Sequence, residues 1–345
     1  SSPVKLMDHV KKVSLSEKFS AAVTEAGELY TWGENSDGQL AVGSTEVSSS
    51  PVKVSDGIAD VALGHTHLVA LGENGDVFTA GNNFHGQVGD ASGIDSTNLT
   101  RILEEISSIS SHSDHNLALD GDGGLMAWGS NYYGQFGNGS CMDAYYPEKI
   151  SGAAQIPGEV EAPESFGLSE ATFAAGSAHN LAVLPDGSLM AWGYNKSGQE
   201  GVGMGSDAVE PGVIMEHIRG VAAGEASSYA VDEDGVLWAW GDNTYGQLGL
   251  GTTETAYQPQ KVMENVAAVF SGTYHAAALK TDGTLWVWGD NTYGQLGQGD
   301  SVKREEPVQV LDGVEKAGAG AMHTIALRSD GSLWVWGNND YGQLG

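Results

Sequence analysis

The sequence predicts an all-β fold: a seven-bladed β-propeller of four-stranded antiparallel blades, forming a single domain over residues 1–345. Three observations predict it. A motif recurs seven times, each copy contains the pattern of four short strands, and the first residues of the chain match a strand that the last copy lacks. Four-stranded units that repeat every 40 to 50 residues or so are typical of propeller blades.

The repeat is clearest at a Trp-Gly pair that precedes an asparagine and a Gly-Gln pair, as in segment 32–39. The glycine of the first pair recurs at Gly33, Gly81, Gly129, Gly193, Gly241, Gly289 and Gly337. Successive copies are 48 residues apart, except the third and fourth, which are 64 apart. The chain therefore has seven units and one insertion of 16 residues, at about 152–167. This acidic insertion is either a functional loop or an ornamental one.

The sixth unit illustrates the four strands. Residues 266–270, 275–279 and 285–288 are short apolar runs, and Asp282-Gly283 between the last two is a strong hairpin signal. The fourth strand, 307–310, begins with proline, which an outer edge tolerates. Large third-strand side chains are expected to be buried between blades, so truncating one to alanine should cost roughly 3–5 kcal/mol. They are Trp32, Trp128, Trp192, Trp240, Trp288 and Trp336.

The phase of the repeat predicts how the ring closes. The chain ends at Gly345, just after the third strand of the seventh unit, and begins with segment 3–6, which aligns with fourth strands. We expect this N-terminal strand to join the last blade and remove its open edge. The two termini should therefore be neighbours.

The composition narrows the function classes. Asp and Glu number 45 against 15 Lys and Arg, which gives a formal net charge of −30. Because such a chain repels phosphate backbones, we expect no nucleic-acid partner. The negative charge is consistent with either a solvated surface or binding to a basic patch on a partner. No apolar stretch is long enough to span a membrane, and we expect a monomer without membrane contact.

Motifs for catalysis or metal binding are missing. The sequence contains no Gly-x-Ser-x-Gly, no phosphate-binding glycine loop ahead of a helix and no His-Glu-x-x-His. The single cysteine, Cys141, cannot form an internal disulfide or a zinc site by itself. Acidic segments 120–123 and 232–235 fall on hairpin positions and lack the ligand set of a calcium loop. We therefore expect no enzyme activity, no cofactor and no metal.

A histidine recurs just before the second strand of five units. These residues are His67, His115, His179, His275 and His323, with Phe19 and Ser227 at the other two positions. A metal-binding ring is one interpretation. We favour a structural role, in which the imidazole satisfies backbone groups of a neighbouring turn, because no carboxylate or second histidine recurs beside it at ligand spacing.

The candidate partner-binding residues lie in two sets of loops, those between strands one and two and those between strands three and four. Both sets fall on one face of an antiparallel blade. Within them, the residues that interrupt the repeat or are aromatic are expected to contact a partner, although simple exposure is the alternative. They are His65, Phe84, His85, Tyr132, Tyr133, Tyr194, Glu225, Tyr274 and Met322. Tyr245, Tyr293 and Tyr341 repeat identically and are expected to pack in their loops, and Asn243 and Asn291 to hydrogen-bond their own loop backbone.

Two segments of the repeat, 271–279 and 285–297 in the sixth unit, resemble the repeat of the regulator of chromosome condensation family. The resemblance covers residues 3–345, and the regular period is most similar to the bacterial branch. It implies a seven-bladed propeller. It also implies several possible functions, because the family includes an exchange factor for a Ran-type GTPase that docks on chromatin, components of ubiquitin ligases, and β-lactamase inhibitors.

The leading hypothesis is a non-catalytic protein-protein interaction module that binds a partner protein through one loop face. One alternative is a guanine-nucleotide exchange factor for a small GTPase, and another is a protein inhibitor of an enzyme such as a β-lactamase. A propeller enzyme would require a polar pocket with perturbed titrating groups at the axis mouth. Of the possible locations, an extracellular or cell-surface one is favoured over the cytoplasm.

Overall fold

A computed structural model describes residues 3–121, 124–150, 173–205 and 207–345. The insertion predicted at about 152–167 lies outside these residues. Within them, 28 strands form seven four-stranded antiparallel sheets, which confirms the predicted fold class.

The strands are numbered in chain order, and β1 (Val4–Asp8) precedes the first blade. Blade 1 is β2 (Val10–Leu15), β3 (Phe19–Thr24), β4 (Leu29–Gly33) and β5 (Ser48–Ser55). Blade 2 is β6 (Ile58–Leu63), β7 (His67–Gly72), β8 (Val77–Gly81) and β9 (Ser96–Leu103). Blade 3 is β10 (Ile106–His112), β11 (His115–Asp120), β12 (Leu125–Gly129) and β13 (Ala144–Lys149). Blade 4 is β14 (Phe173–Ala175), β15 (His179–Val183), β16 (Leu189–Gly193) and β17 (Ala208–Met215). Blade 5 is β18 (Ile218–Ala223), β19 (Ser227–Asp232), β20 (Leu237–Gly241) and β21 (Ala256–Met263). Blade 6 is β22 (Val266–Ser271), β23 (His275–Lys280), β24 (Leu285–Gly289) and β25 (Arg304–Leu311). Blade 7 contains β26 (Val314–Ala319), β27 (His323–Arg328) and β28 (Ser332–Gly337).

The seventh blade is completed by the N-terminal strand. β1 pairs antiparallel with β28, with Val4 opposite Val335 and Asp8 opposite Ser332. The backbone N–H of His9 also donates to Gly331 O at 3.0 Å. The predicted ring closure is thus present, and no blade in the described part of the chain is short of a strand.

The hydrophobic core lies between neighbouring blades. The six third-strand tryptophans are 0–1% exposed, as predicted. Each indole N–H donates to a glutamine backbone carbonyl in the preceding blade, so one side chain fills the gap and joins the two sheets. The pairs are Trp32–Gln343 (2.9 Å), Trp128–Gln87 (3.0 Å), Trp192–Gln135 (2.7 Å), Trp240–Gln199 (2.8 Å), Trp288–Gln247 (2.7 Å) and Trp336–Gln295 (2.9 Å).

The glycine after each tryptophan position recurs because the backbone there admits no side chain. Gly289 has a φ of +100°, and a Cβ on it would lie 2.5 Å from the carbonyl oxygen of Tyr274. Both the left-handed conformation and the close approach of the second strand require glycine.

The recurring histidines form a second set of links between blades. They are fully buried, and each Nε2 hydrogen-bonds a polar side chain in the next blade. The pairs are His67–Asn116 (2.7 Å), His115–Asn180 (2.8 Å), His179–Ser228 (2.9 Å), His275–Thr324 (2.9 Å) and His323–Ser20 (2.9 Å). For this nitrogen, the partner is a side chain rather than the backbone group that the sequence suggested.

Candidate functional site

One face of the disc, here called the upper face, carries the turns between first and second strands and the loops between third and fourth strands. Contacts between the two sets show that they share this face. Lys18 Nζ, in a turn of blade 1, lies 5.3 Å from the ring centre of Tyr341 in a loop of blade 7. Gln87 Nε2, in a loop of blade 2, donates to Asp114 Oδ1 in a turn of blade 3 at 3.1 Å.

The turns surround a cavity of about 350 Å³ at the mouth of the central channel, here called the axial cavity. Four of the predicted residues line it: His65, Glu225, Tyr274 and Met322. Because these residues come from blades 2, 5, 6 and 7, only closure of the ring brings them together. Further wall residues are Leu15, Glu17, Leu63, His112, Ser177 and Ala321.

On one side of the axial cavity, Glu17 and His65 form an ion pair. Glu17 Oε2 lies 2.5 Å from His65 Nε2. This hydrogen bond raises the pKa of His65 and lowers that of Glu17, so the pair is charged over a wider pH range than either group alone. The two charges largely cancel each other.

Glu225 enters the axial cavity from blade 5 without a cationic partner. It forms no salt bridge in the described residues, and its hydrogen-bonding partner is the side chain of Ser177. Partial removal from water raises the pKa of Glu225, and the hydrogen bond from Ser177 and the nearby charge of His65 oppose that effect. The pKa of Tyr274 is raised by burial first and by Glu225 second. Of the two carboxylates that line the cavity in the described residues, Glu17 has an ion-pair partner and Glu225 has none.

The other five predicted residues lie farther out, in the third-to-fourth-strand loops of blades 2, 3 and 4. This aromatic rim comprises Phe84, His85, Tyr132, Tyr133 and Tyr194. Ring centres are 4.8 Å apart for Phe84 and His85, 4.9 Å for Tyr132 and Tyr133, and 4.8 Å for Tyr133 and Tyr194. Phe84 and Tyr132 are each 72% exposed. The nine predicted residues thus form two groups rather than one continuous site.

Contacts to neighbouring loops hold the aromatic rim in place. His85 Nδ1 lies 2.8 Å from Asp143 Oδ2 in the next blade. The hydroxyl of Tyr145 donates to the backbone carbonyl of Phe84 at 2.8 Å. Because both contacts cross from blade 2 to blade 3, the rim is a preformed surface.

Sequence reasoning missed four residues at these two places. Ile94 and Met142, 71% and 79% exposed, lie in the same loops as Phe84 and Tyr132. Glu17 and His112 line the axial cavity. A signal existed for His112, because it occupies a position at which most units carry glycine. These glycines are Gly64, Gly176, Gly224, Gly272 and Gly320.

The repeated loop residues are mainly internal to the fold. Asn243 Nδ2 donates to Thr252 O and Glu254 O, both at 3.0 Å, and Asn291 makes equivalent contacts, as predicted. Tyr245 packs against Tyr274 with ring centres 4.6 Å apart. Tyr245 is nevertheless 39% exposed, so the repeated tyrosines are only partly packed.

The axial cavity has part of what an enzyme site would require. Its wall has polar as well as apolar groups, and Glu225, His65 and Glu17 have shifted pKa values. In the described residues, however, no hydroxyl group is hydrogen-bonded to the imidazole ring of His65 or His112, so neither ring is paired with a nucleophile. The Ser177 hydroxyl is hydrogen-bonded to the Glu225 carboxylate instead. Nor do three His, Cys, Asp or Glu side chains of those residues approach closely enough to hold a metal ion.

Sequence comparison identifies relatives of the repeat. A family model described as the RCC1-like domain matches residues 154–345, more than half of the chain. One model of the regulator of chromosome condensation (RCC1) repeat matches residues 26–71 and 122–183, and another matches 10–39, 58–87 and 106–135. Among curated proteins, no sequence matches. The described residues include no helix that could cross a membrane.

Solved structures share the fold. Human WBSCR16 has a TM-score of 0.79 at 22% identity, over 97% of this chain and 88% of that chain. Prp20p from Saccharomyces cerevisiae, studied for its binding to Gsp1p and histones, has a TM-score of 0.76 at 19% identity, over 97% and 84%. Yeast RCC1 (Prp20) bound by Kap60 has a TM-score of 0.78 at 19% identity, over 97% and 82%. Identities this low show the fold alone.

Proposed function

Because the chain belongs to the regulator of chromosome condensation (RCC1) repeat family, we propose that it is a protein-binding propeller that engages its partner through the upper face. Family membership supports binding in general, and Prp20p is described with protein partners. Fold alone does not select the face or the partner. The choice of face rests on the residues of this chain.

The observation that carries the proposal is the exposure of Phe84, Tyr132, Ile94 and Met142 in two adjacent loops. Each is more than 70% exposed. The positions equivalent to Phe84 and Tyr132 in the other units hold Ser36, Lys196, Thr244, Thr292 and Asp340. The same loop therefore folds without an aromatic residue, so stability of the blade does not explain the two rings. Large apolar and aromatic side chains grouped on a surface are typical of interface cores.

The test is affinity capture from a lysate of the cells that produce the protein, with rim residues replaced by those of other units. We expect Phe84→Ser combined with Tyr132→Thr to reduce recovery of the specific partner at least roughly tenfold, the loss of two interface anchors. Val302→Glu is the matched control, because Val302 is 60% exposed in the equivalent loop of blade 6 and another unit carries Glu254 there.

The outcome distinguishes the proposed face from its alternatives. If the rim variant and the control recover the same proteins in the same amounts, the face is wrong. A captured GTPase whose nucleotide release is accelerated by substoichiometric propeller would identify an exchange factor. Stoichiometric inhibition within a panel of β-lactamases would identify an inhibitor.

A further inference from the structure

We propose that the axial cavity receives one cationic side chain, arginine or lysine, of the bound partner protein, with Glu225 as its counter-ion. This inference rests on the proposed function, because the cavity opens on the same face as the aromatic rim. It goes beyond that function by naming a second contact and its chemistry.

The size and walls of the axial cavity fit a single long side chain. About 350 Å³ is at the small end of ligand pockets and cannot hold a folded element. Leu15, Leu63 and Ala321 offer apolar contact to an aliphatic stem, and Met322 adapts to its shape. The Tyr274 ring lines the cavity and packs against Tyr245, and an aromatic ring attracts a guanidinium or ammonium group.

The charges of the axial cavity select a cation. His65 is the ion-pair partner of Glu17, at 2.5 Å, and burial lowers the pKa of His112 to about 4, so that imidazole is neutral at pH 7. Lys18 extends toward the Tyr341 ring. Glu225 is then the carboxylate without an ion-pair partner, and His65 acts on it only as a nearby charge. A carboxylate that is partly desolvated without a cationic partner is costly, and a bound cation reduces that cost.

A protein side chain fits better than a metal ion. In the part of the chain that the structure covers, no three carboxylate, imidazole or thiolate groups converge on one point. A metal would also find apolar atoms on much of the wall, whereas an arginine or lysine stem would contact them favourably. The net charge of −30 attracts basic partners to the whole molecule and agrees with this choice.

The test measures binding of a small cationic probe in the absence of any partner protein. The protein is labelled with ¹³C at the methionine methyl groups, and the Met322 signal is followed during titration with Nα-acetyl-arginine methylamide. Nα-acetyl-citrulline methylamide, the same shape without the charge, is the ligand control. We expect a saturable shift of Met322 with arginine and at least roughly tenfold weaker binding of citrulline, since a charge-assisted contact is lost.

Two variants locate the charge. Glu225→Gln is expected to weaken arginine binding at least roughly tenfold, while Glu264→Gln removes the same charge from an exposed site beside Lys261 and leaves binding unchanged. The other methionine signals report whether Glu225→Gln remains folded. Equal shifts with arginine and citrulline, or an unchanged affinity in Glu225→Gln, would overturn the inference.

The two proposals can fail separately. If arginine does not bind but the Phe84→Ser, Tyr132→Thr variant still loses its partner, the cation site is wrong and the binding face stands. If arginine binds as expected but the rim variant captures normally, the cavity binds cations and the rim is not the protein interface.

Discussion

At the level of single residues, the inter-blade contacts occur as matched pairs. Every recurring histidine faces an asparagine, serine or threonine of the next blade. Where the histidine is replaced by Phe19, the equivalent residue of the next blade is the apolar Leu68. Ser227 departs from this matching: the equivalent residue of the next blade is Ala276, and the Ser227 hydroxyl accepts a hydrogen bond from Tyr229 of its own strand at 3.2 Å. A buried imidazole requires a polar partner, and an apolar residue requires an apolar one. The two halves of the five histidine pairs, and of the pair of Phe19 and Leu68, are therefore coupled across the gap between blades.

The buried histidines predict an acid-sensitive fold. Burial lowers the pKa of His115 and His275 to about 4 and of His179 and His323 to about 3, and it lowers that of His67 as well. Unfolded histidines titrate near pH 6.5, so the unfolded chain takes up protons first. Stability is complete above that pH and falls as the pH drops toward 4, by up to about 1.4 kcal/mol per unit per histidine. Urea unfolding at pH 7.5, 6.5, 5.5 and 5.0 measures this slope.

Replacing one histidine and its partner together tests whether the buried histidines cause this pH dependence of stability. His323→Phe with Ser20→Leu recreates the combination of Phe19 and Leu68 at another gap. We expect the double variant to lose about one sixth of the slope that these histidines cause between pH 6.5 and 5, because it removes one of six histidines whose pKa is lowered by burial, His112 included. His323→Phe alone should be less stable than the double variant, since it leaves Ser20 facing a ring. A slope identical to that of the wild type would contradict the assignment.

At the level of the strand, two tryptophans on the same face of β24 have different roles. Trp288 is fully buried and donates to Gln247 O at 2.7 Å. Trp286, two residues earlier, is only partly buried and lies 4.7 Å from Lys280 Nζ. We expect Trp288→Ala to lower the free energy of unfolding by roughly 3–5 kcal/mol, through a cavity and a lost hydrogen bond.

Trp286→Ala is the matched control on the same strand. It should cost about 1 kcal/mol, because the ring contributes partial burial and an exposed cation–π contact. Urea denaturation of both variants gives the comparison. Equal costs would mean that the tryptophans between blades do not carry the blade packing.

Most strand positions in the sixth unit could be predicted, but the outer strand could not be fully delimited. The predicted runs 266–270, 275–279 and 285–288 each lie within one observed strand. The fourth strand was predicted at 307–310, whereas β25 is Arg304–Leu311. Its first part pairs through a register shift that places Arg304 opposite Gly289. Because that shift depends on the partner strand, no alternation in 304–306 reveals it.

The candidate site could be predicted by residue but not by arrangement. Phe84 and Tyr132 were identifiable because they interrupt a repeat whose other copies are polar. Their separation from His65 and Glu225 could not be predicted, because the distance of a residue from the propeller axis depends on how the ring closes and on loop conformation. The ion pair of His65 and Glu17 likewise joins two blades that are 48 residues apart in sequence. Sequence spacing therefore indicated that these residues lie on the upper face. Only the folded ring shows that they form two separate groups there.

For the molecule as a whole, the decisive feature is the pairing of β1 with β28. Blades 1 to 6 are each built from consecutive strands, but blade 7 combines the two ends of the chain. β1 has four residue pairs with β28, from Val4 to Asp8, and Gly345 packs beside Leu6. Without β1, the backbone groups of β28 would form an exposed edge. The strand therefore stabilises the contact between the first and last blades as well as its own sheet.

Removal of residues 1–8 tests this role, with removal of residues 1–2 as the control that retains β1. We expect amide exchange in β28 to accelerate roughly a hundredfold in the shorter chain, since local opening no longer requires loss of β1. Exchange in β24, the equivalent strand of blade 6, should change far less. A peptide of residues 3–9 in excess should restore protection by adding back the edge strand. Protection of β28 that survives the deletion would mean that packing between blades, and not N-terminal pairing, closes the ring.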